Sequence, residues 1–178
     1  MRRQGSRGFT LIELLVVVAI IGVLSALIIP VIQTAMQKAK QKATMSDISI
    51  LSKAIMSYIT DNGRAPTSPE GEVDLGSEIV GQLNSLHIRP FAITDRWSNA
   101  LCVWTGLGVG GVFGIDAEEV GIDDYVVQSL GRDGEDEGYV YNPEDPDSSL
   151  YLVLDAEDFN RDLIIWNGSW IRAPRVGG

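Results

Sequence analysis

Histidine and cysteine are nearly missing from this chain of 178 residues, which has one of each, His87 and Cys102. A single cysteine excludes an internal disulfide framework and any metal site built from several thiolates. A lone histidine disfavours a histidine-based zinc centre and a Ser-His-Asp triad. Lysine is scarce too: its four copies all fall between Lys38 and Lys53. Lysine and arginine together number 14 against 24 acids, a formal charge of −10 at pH 7. From Ala65 onward 21 acids face six arginines, a net −15. Such a surface repels phosphate backbones, which argues against nucleic acid as a partner.

What the chain has in excess is apolar sequence held apart from its charge. Mean hydropathy is slightly positive although 21% of residues are charged. Residues 14–29, LLVVVAIIGVLSALII, carry no charge, and between Leu11 and Ile32 the single charged residue is Glu13. As a helix, that stretch extends about 33 Å, enough to cross a bilayer core. It is too long for a cleaved secretory signal, and Ile28-Ile29-Pro30-Val31 offers no small-residue cleavage site. Arg2, Arg3 and Arg7 predict that the amino terminus stays cytoplasmic, which puts the acidic remainder across the membrane. A carboxylate one turn into a spanning helix is costly without a partner. Glu13 therefore either snorkels or stays protonated, or it meets a positive charge on a neighbouring copy.

Gly8-Phe9-Thr10-Leu11-Ile12-Glu13, with a short basic leader before it and an apolar run after it, resembles the precursor signal of type IV pilins and pseudopilins. The resemblance implies that a prepilin peptidase cuts between Gly8 and Phe9 and that Phe9 becomes N-methylated. Glu13 is then the fifth mature residue, and Pro30 falls at the family's proline, the twenty-second. It also implies a helical filament of identical subunits, other pseudopilins, and an assembly platform in the bacterial inner membrane as partners, with the head in the periplasm. The chemistry is coherent. Cutting before the apolar segment leaves the product anchored, and the new amine is a cation for Glu13 of an adjacent subunit. Such a pair acts more as a register device than as net stabilisation. Pro30 lacks an N–H and is expected to kink or locally open the helix.

Beyond Pro30, Ile32, Ala35, Met36, Ala39, Ala43, Ile48, Leu51, Ile55, Tyr58 and Ile59 recur at spacings of mostly three and four, one amphipathic stripe. Lys38, Lys40 and Lys42 lie on or beside its polar side. Asp61-Asn62-Gly63, followed by Pro66 and Pro69, predicts the helix end. The division expected is a leader at 1–8, a membrane and assembly helix at 9–30, its amphipathic half at 31–62 and a head at 63–178. Gly63-Arg64-Ala65-Pro66-Thr67 is similar to the major-pseudopilin branch, where it leads into a short second helix, here Glu78–Leu86. Asp95-Arg96-Trp97-Ser98 stands where that branch shows Asp-Pro-Trp-Gly, so Arg96 and Ser98 are departures. Short apolar or alternating runs at 101–104, 124–129, 138–141, 150–154 and 162–166 read as a small antiparallel sheet. The fold expected is α+β, a long amino-terminal helix packed on a pilin-like sheet. Gly106-Leu107-Gly108-Val109-Gly110-Gly111 lacks the Gly-Lys-Ser/Thr ending of a phosphate loop and reads as a hairpin insertion.

Eleven acids lie from Asp133 to Asp162. Hard oxygen ligands on glycine-rich turns suit Ca²⁺. Asp158, Asn160 and Asp162 have the opening spacing of an EF-hand loop, but Leu163 and Ser169 replace its obligatory glycine and glutamate, which excludes that motif. Ser129-Leu130-Gly131-Arg132-Asp133-Gly134 and Asp162-Leu163-Ile164-Ile165-Trp166 resemble two segments that fold around one Ca²⁺ in major pseudopilins. The resemblance implies the Leu130 carbonyl and the carboxylates of Asp133 and Asp162 as ligands. The family's further aspartate falls on Arg161, and Asp158 takes its place, with Asp136 and Asn160 in reserve. Residues 138–157 are an insertion between the two segments.

The function implied is a structural subunit of a type II secretion-like pseudopilus that promotes protein export. The alternative is a type IV pilin or minor pilin for adhesion, motility or DNA uptake. A membrane-anchored hydrolase using paired carboxylates is a third class, but nothing marks two of these acids as a positioned pair, so the chain is read as no enzyme.

Overall fold

Residues 8–68, 70–74, 77–84 and 92–175 are described by a computed structural model. Leader residues 1–7, Pro69, the predicted helix end at 85–86 and His87 lie outside them. The first helix, α1, runs Leu11–Asn62 and stops at the predicted turn, where Gly63 takes φ 69° and its N–H bonds to Ile59 O. The chain forms two compact units, Met1–Gln37 and Lys38–Gly178, and α1 contributes to both.

In the first unit every described residue from Leu11 to Met36 is exposed or nearly so, as expected of a segment whose partners are lipid or other chains. α1 is long and apolar enough to cross a membrane. Pro30 is accommodated inside the helix, with Thr34 Oγ1 donating to its carbonyl at 3.1 Å.

In the second unit α1 buries Gln41, Thr44, Asp47, Ile48, Leu51, Ser52, Ala54 and Ile55. The predicted stripe is thus covered only from its middle; Ile32 and Met36 remain 52% and 57% exposed. The polar members of the buried face are satisfied by distant partners. Gln41 donates to the Tyr151 hydroxyl, and Ser52 and Tyr125 share a hydrogen bond of 2.8 Å. Each of the large apolar side chains contributes about 1.5–3 kcal/mol by burial.

Helix α2 spans Glu78–Asn84. Six strands, β1 (Gly71–Glu72), β2 (Cys102–Thr105), β3 (Tyr125–Ser129), β4 (Leu150–Tyr151), β5 (Leu163–Trp166) and β6 (Ser169–Pro174), form one sheet in the order β1-β2-β3-β5-β6-β4. All neighbours are antiparallel except β4 and β6. The sheet is buried on both faces, which is why its central strands read as continuous apolar runs. Tyr125, Val127, Leu163 and Ile165 pack with α1, while Val126, Ile164 and Ile171 pack under Val109, Ile115, Phe113 and Tyr141. The glycine-rich segment is therefore the cover of the second face, folded as short 3₁₀ turns at Gly106–Val109 and Val112–Gly114.

Two sequence expectations for strands differ from the structure. Residues 138–141 are not a strand: Tyr139 and Tyr141 pack against the second core, and Tyr141 N bonds to Phe113 O. Besides β1, the predicted set also omitted β6. It follows β5 through Asn167-Gly168, both at positive φ (47° and 84°), the two-residue turn that Asn-Gly favours between antiparallel strands.

Candidate functional site

Two places carry the predicted site residues. The first is the start of α1. Gly8 and Phe9 lie before the helix in exposed, non-helical backbone. Thr10 is the residue before the first helical turn and Glu13 its third helical position. Glu13 Oε2 accepts from Thr10 N at 2.9 Å and from Thr10 Oγ1 at 2.7 Å, while Thr10 Oγ1 accepts from Glu13 N at 3.3 Å. This is a reciprocal capping box, which satisfies donors that a helix start otherwise leaves open. Among the described residues the second oxygen, Oε1, takes no bond. The Thr-x-x-Glu signature was visible in the sequence, and Thr10 belongs with Glu13 as a site residue that the sequence reading passed over.

The second place joins three segments far apart in sequence. Asp95 is buried, and its Oδ1 accepts from Trp97 N and Asn99 N while Oδ2 accepts from Ser129 Oγ at 2.8 Å. Asn99 Nδ2 donates to Gly131 O at 2.7 Å. Both departures from Asp-Pro-Trp-Gly now have a physical setting. Arg96 pairs with Asp47 of α1 at 2.7 Å, and its N–H bonds to Thr44 Oγ1. Ser98 sits at φ 79°, a left-handed conformation in which glycine is at ease and serine is not.

Gly131 meets the other half of the site. A Cβ on it would stand 2.5 Å from Asn160 O and 2.8 Å from Arg161 O, and its φ is 68°. Next to it Arg132 N bonds to Phe159 O, and Arg132 Nε bonds to Asn160 Oδ1, both at 2.8 Å. The segments around Leu130 and Asp162 are thus brought together.

Asp162 is fully buried. Its Oδ2 accepts from Gln128 Nε2 at 2.9 Å and from Glu137 N at 3.2 Å, whereas Oδ1 has no partner. Burial pushes its carboxyl up to about 7, against the pull of those two donors and with a further push from the charges of Glu137 and Asp136. Glu137 is the clamp beside it. Its Oε2 accepts from Asp162 N at 3.2 Å, and its Oε1 pairs with Arg172 Nη2 at 2.5 Å. Arg172 is buried, with its guanidinium carbon 4.8 Å from the Tyr139 ring centre and 5.0 Å from that of Tyr151.

The remaining predicted ligands are placed differently. Asp158 accepts from Leu154 N, Asp155 N and Arg161 Nε. Against a burial penalty, those donors hold its carboxyl below the ordinary value. Asp133 and Asp136 are exposed and accept from the backbone two residues ahead, at Glu135 N and Gly138 N. Among the described residues no three acidic, histidine or cysteine side chains come together in a group fit to hold a metal. The donor chemistry fits a hard cation at one point, the free buried oxygen of Asp162.

Gly8 and Phe9 thus stand exposed directly ahead of a capped apolar helix. The family model described as prokaryotic N-terminal methylation motif matches residues 3–29. More particularly, the chain is similar to the type II secretion system core protein G of several bacteria. It is 44% identical to that of Klebsiella michiganensis over 71 residues, 40% of this chain and 50% of the relative. It is 39% identical to that of Aeromonas hydrophila over 71 residues, with the same shares. With that of Escherichia coli K12 it shares 43% over 65 residues, 36% of this chain and 45% of the relative. The chain thus spans about half the length of the curated relatives it matches. No solved structure matches it.

Proposed function

We propose that this chain is a structural subunit of a type II secretion-like pseudopilus, cut by prepilin peptidase between Gly8 and Phe9, N-methylated on Phe9 and assembled into a helical filament. The observation that carries this reading is the methylation motif in a chain that is 38–44% identical to secretion core protein G over 65–71 residues. On this reading the protein sits in the bacterial inner membrane, head in the periplasm, and works with an assembly platform and other pseudopilins. A subunit of this kind acts by packing and holds no reacting substrate. The free Oε1 of Glu13 is the acceptor for the methylated amine of a neighbour, while Oε2 keeps its own helix capped. The pilus alternative is not favoured, because the relatives reported above carry secretion-system names. The test is the mass of the mature chain isolated from a strain with prepilin peptidase. A chain beginning at N-methyl-Phe9 is expected, and any other start ends the assembly argument.

Ca²⁺ is the cation we assign to the junction of the two segments, with Asp162, Asp133 and the Leu130 carbonyl as the ligands of this chain and Asp158 as the fourth. Supporting it are the partnerless buried oxygen of Asp162 and eleven acids whose mutual repulsion a divalent ion relieves. When bound, the ion supplies charge neutralisation and cross-links the loop. Calorimetric titration of the full chain in detergent with CaCl₂ decides it. Heat and a raised melting temperature are expected, and neither appearing ends the assignment.

A further inference from the structure

Every lysine of this chain lies on α1, and among the described residues none is in an ion pair; the three ion pairs present use Arg96, Arg161 and Arg172. In a chain with 24 acids that is an unspent set of cations. At about 100° per residue, Lys38, Lys42 and Lys53 fall within about 60° of one another. They lie opposite Thr44, Ile48, Leu51 and Ile55, and all three are exposed. Lys40 is off this line and half-buried. Ser46 and Ser49 lie between the lysines, where small side chains let another surface approach, and Ile50 beside them is 48% exposed.

A lipid headgroup layer and a protein surface compete as occupants. The stripe extends about 22 Å along the helix, from Lys38 to Lys53. Screening confines the pull of a charged plane to about 8–10 Å, so a layer that reaches Lys38 leaves Lys53 unengaged. A negatively charged protein surface lying along the helix can engage all three, and the chain from Ala65 onward carries −15 with which to do so. The head of this chain offers one. A cleft of about 500 Å³ holds four acids. Two of them, Glu137 and Asp158, are neutralised by Arg172 and Arg161. The other two, Asp155 and Glu157, are exposed and have no basic partner among the described residues, and Asp155 Oδ1 is fixed by Glu157 N at 2.8 Å. The cleft is left with two uncompensated negative charges.

We propose that the Lys38, Lys42 and Lys53 stripe of one copy docks on the acidic head of a second copy, with Asp155 and Glu157 as receiving carboxylates. This rests on the filament reading above, and two measurements separate the two. The first uses Lys42→Cys and Asp155→Cys on differently tagged full-length copies produced together in membranes; native Cys102 is buried and does not compete. A mixed disulfide dimer is expected whether or not filaments form, and its absence overturns the docking while leaving the filament reading intact. The second counts sedimentable filaments. Lys38→Glu, Lys42→Glu and Lys53→Glu together are expected to lower the yield at least about tenfold, and adding Asp155→Lys and Glu157→Lys to restore it to within about threefold. An unchanged yield, or a loss that the head reversal does not mend, overturns the proposal. A loss matched by weaker binding to phosphatidylglycerol vesicles, again without rescue, assigns the stripe to lipid. Cysteine-bearing copies that cross-link where the wild-type chain forms no filament overturn the filament reading alone.

Discussion

Replacing Glu137 by alanine removes the one carboxylate paired with Arg172 among the described residues. That arginine side chain is 9% exposed and its Glu137 partner 23% exposed, with 2.5 Å between the paired atoms. Arg172 Nε already lacks a partner, so the truncated protein keeps a desolvated cation held by two ring faces alone. Removing one member of a buried pair costs about 3–5 kcal/mol. Two effects reduce this: the ring contacts persist at about 1–2 kcal/mol, and a negative charge beside Asp162 disappears. The net expectation is a loss of about 2–3 kcal/mol, or roughly 5–10 °C in Tm for a chain of this size. Arg172→Met is expected to cost less, because Glu137 lies nearer to solvent. The double variant is expected to fall short of the sum by at least about 1 kcal/mol. The assay is thermal unfolding of the full chain in detergent with a chelator present, followed by circular dichroism. A Glu137→Ala shift below about 2 °C, or strict additivity in the double variant, refutes the reasoning.

Ser98→Gly relieves a positive φ at a serine and is expected to raise Tm by a few degrees, about 1 kcal/mol, in the same assay. Gly131→Ala forces a methyl group against two backbone carbonyls and is expected to cost about 3 kcal/mol or more, read as a Tm loss larger than that of any surface alanine. Burial, with the charges of Glu72, Asp136 and Asp162 adding to it, pushes the Cys102 thiol up to about 11. The folded thiol therefore stays protonated where the unfolded one, near 9.0, ionises. Stability is lost as pH rises from 9 to 11, and iodoacetamide at pH 8 is expected to label Cys102 far more slowly than it labels the same thiol in denaturant.

The parts legible in the sequence were those set by neighbours in the chain. The processing motif occupies six consecutive residues, and the end of α1 at Asn62 was announced by Asp-Asn-Gly. The central strands β3 and β5 were readable because burial on both faces makes them apolar throughout. The amphipathic stripe indicated a face but not what covers it, so its exposed first half around Met36 looked the same as its buried half around Leu51. Tyr139-Val140-Tyr141 alternates like a strand yet pairs with none, because its rings fill the second core and hold Arg172. The hub at Asp95 reaches Ser129, 34 residues away, and Glu137 reaches Asp162 across 25. Acid content marked that region, but no local pattern says which of its acids turns inward. Asp158 is held by its own turn and Arg161, while Asp162 is left with a free oxygen.

The two outermost strands of the sheet, β1 and β4, are each two residues long. Such stubs expose few unpaired N–H and C=O groups, so heads crowded side by side cannot zip into a continuous ladder between molecules. A polymer of this chain is then cemented by side chains and helix faces, whose contacts form and break singly. Backbone ladders lock in. In the filament proposed above, contacts that can open again follow from the shortness of those two edges.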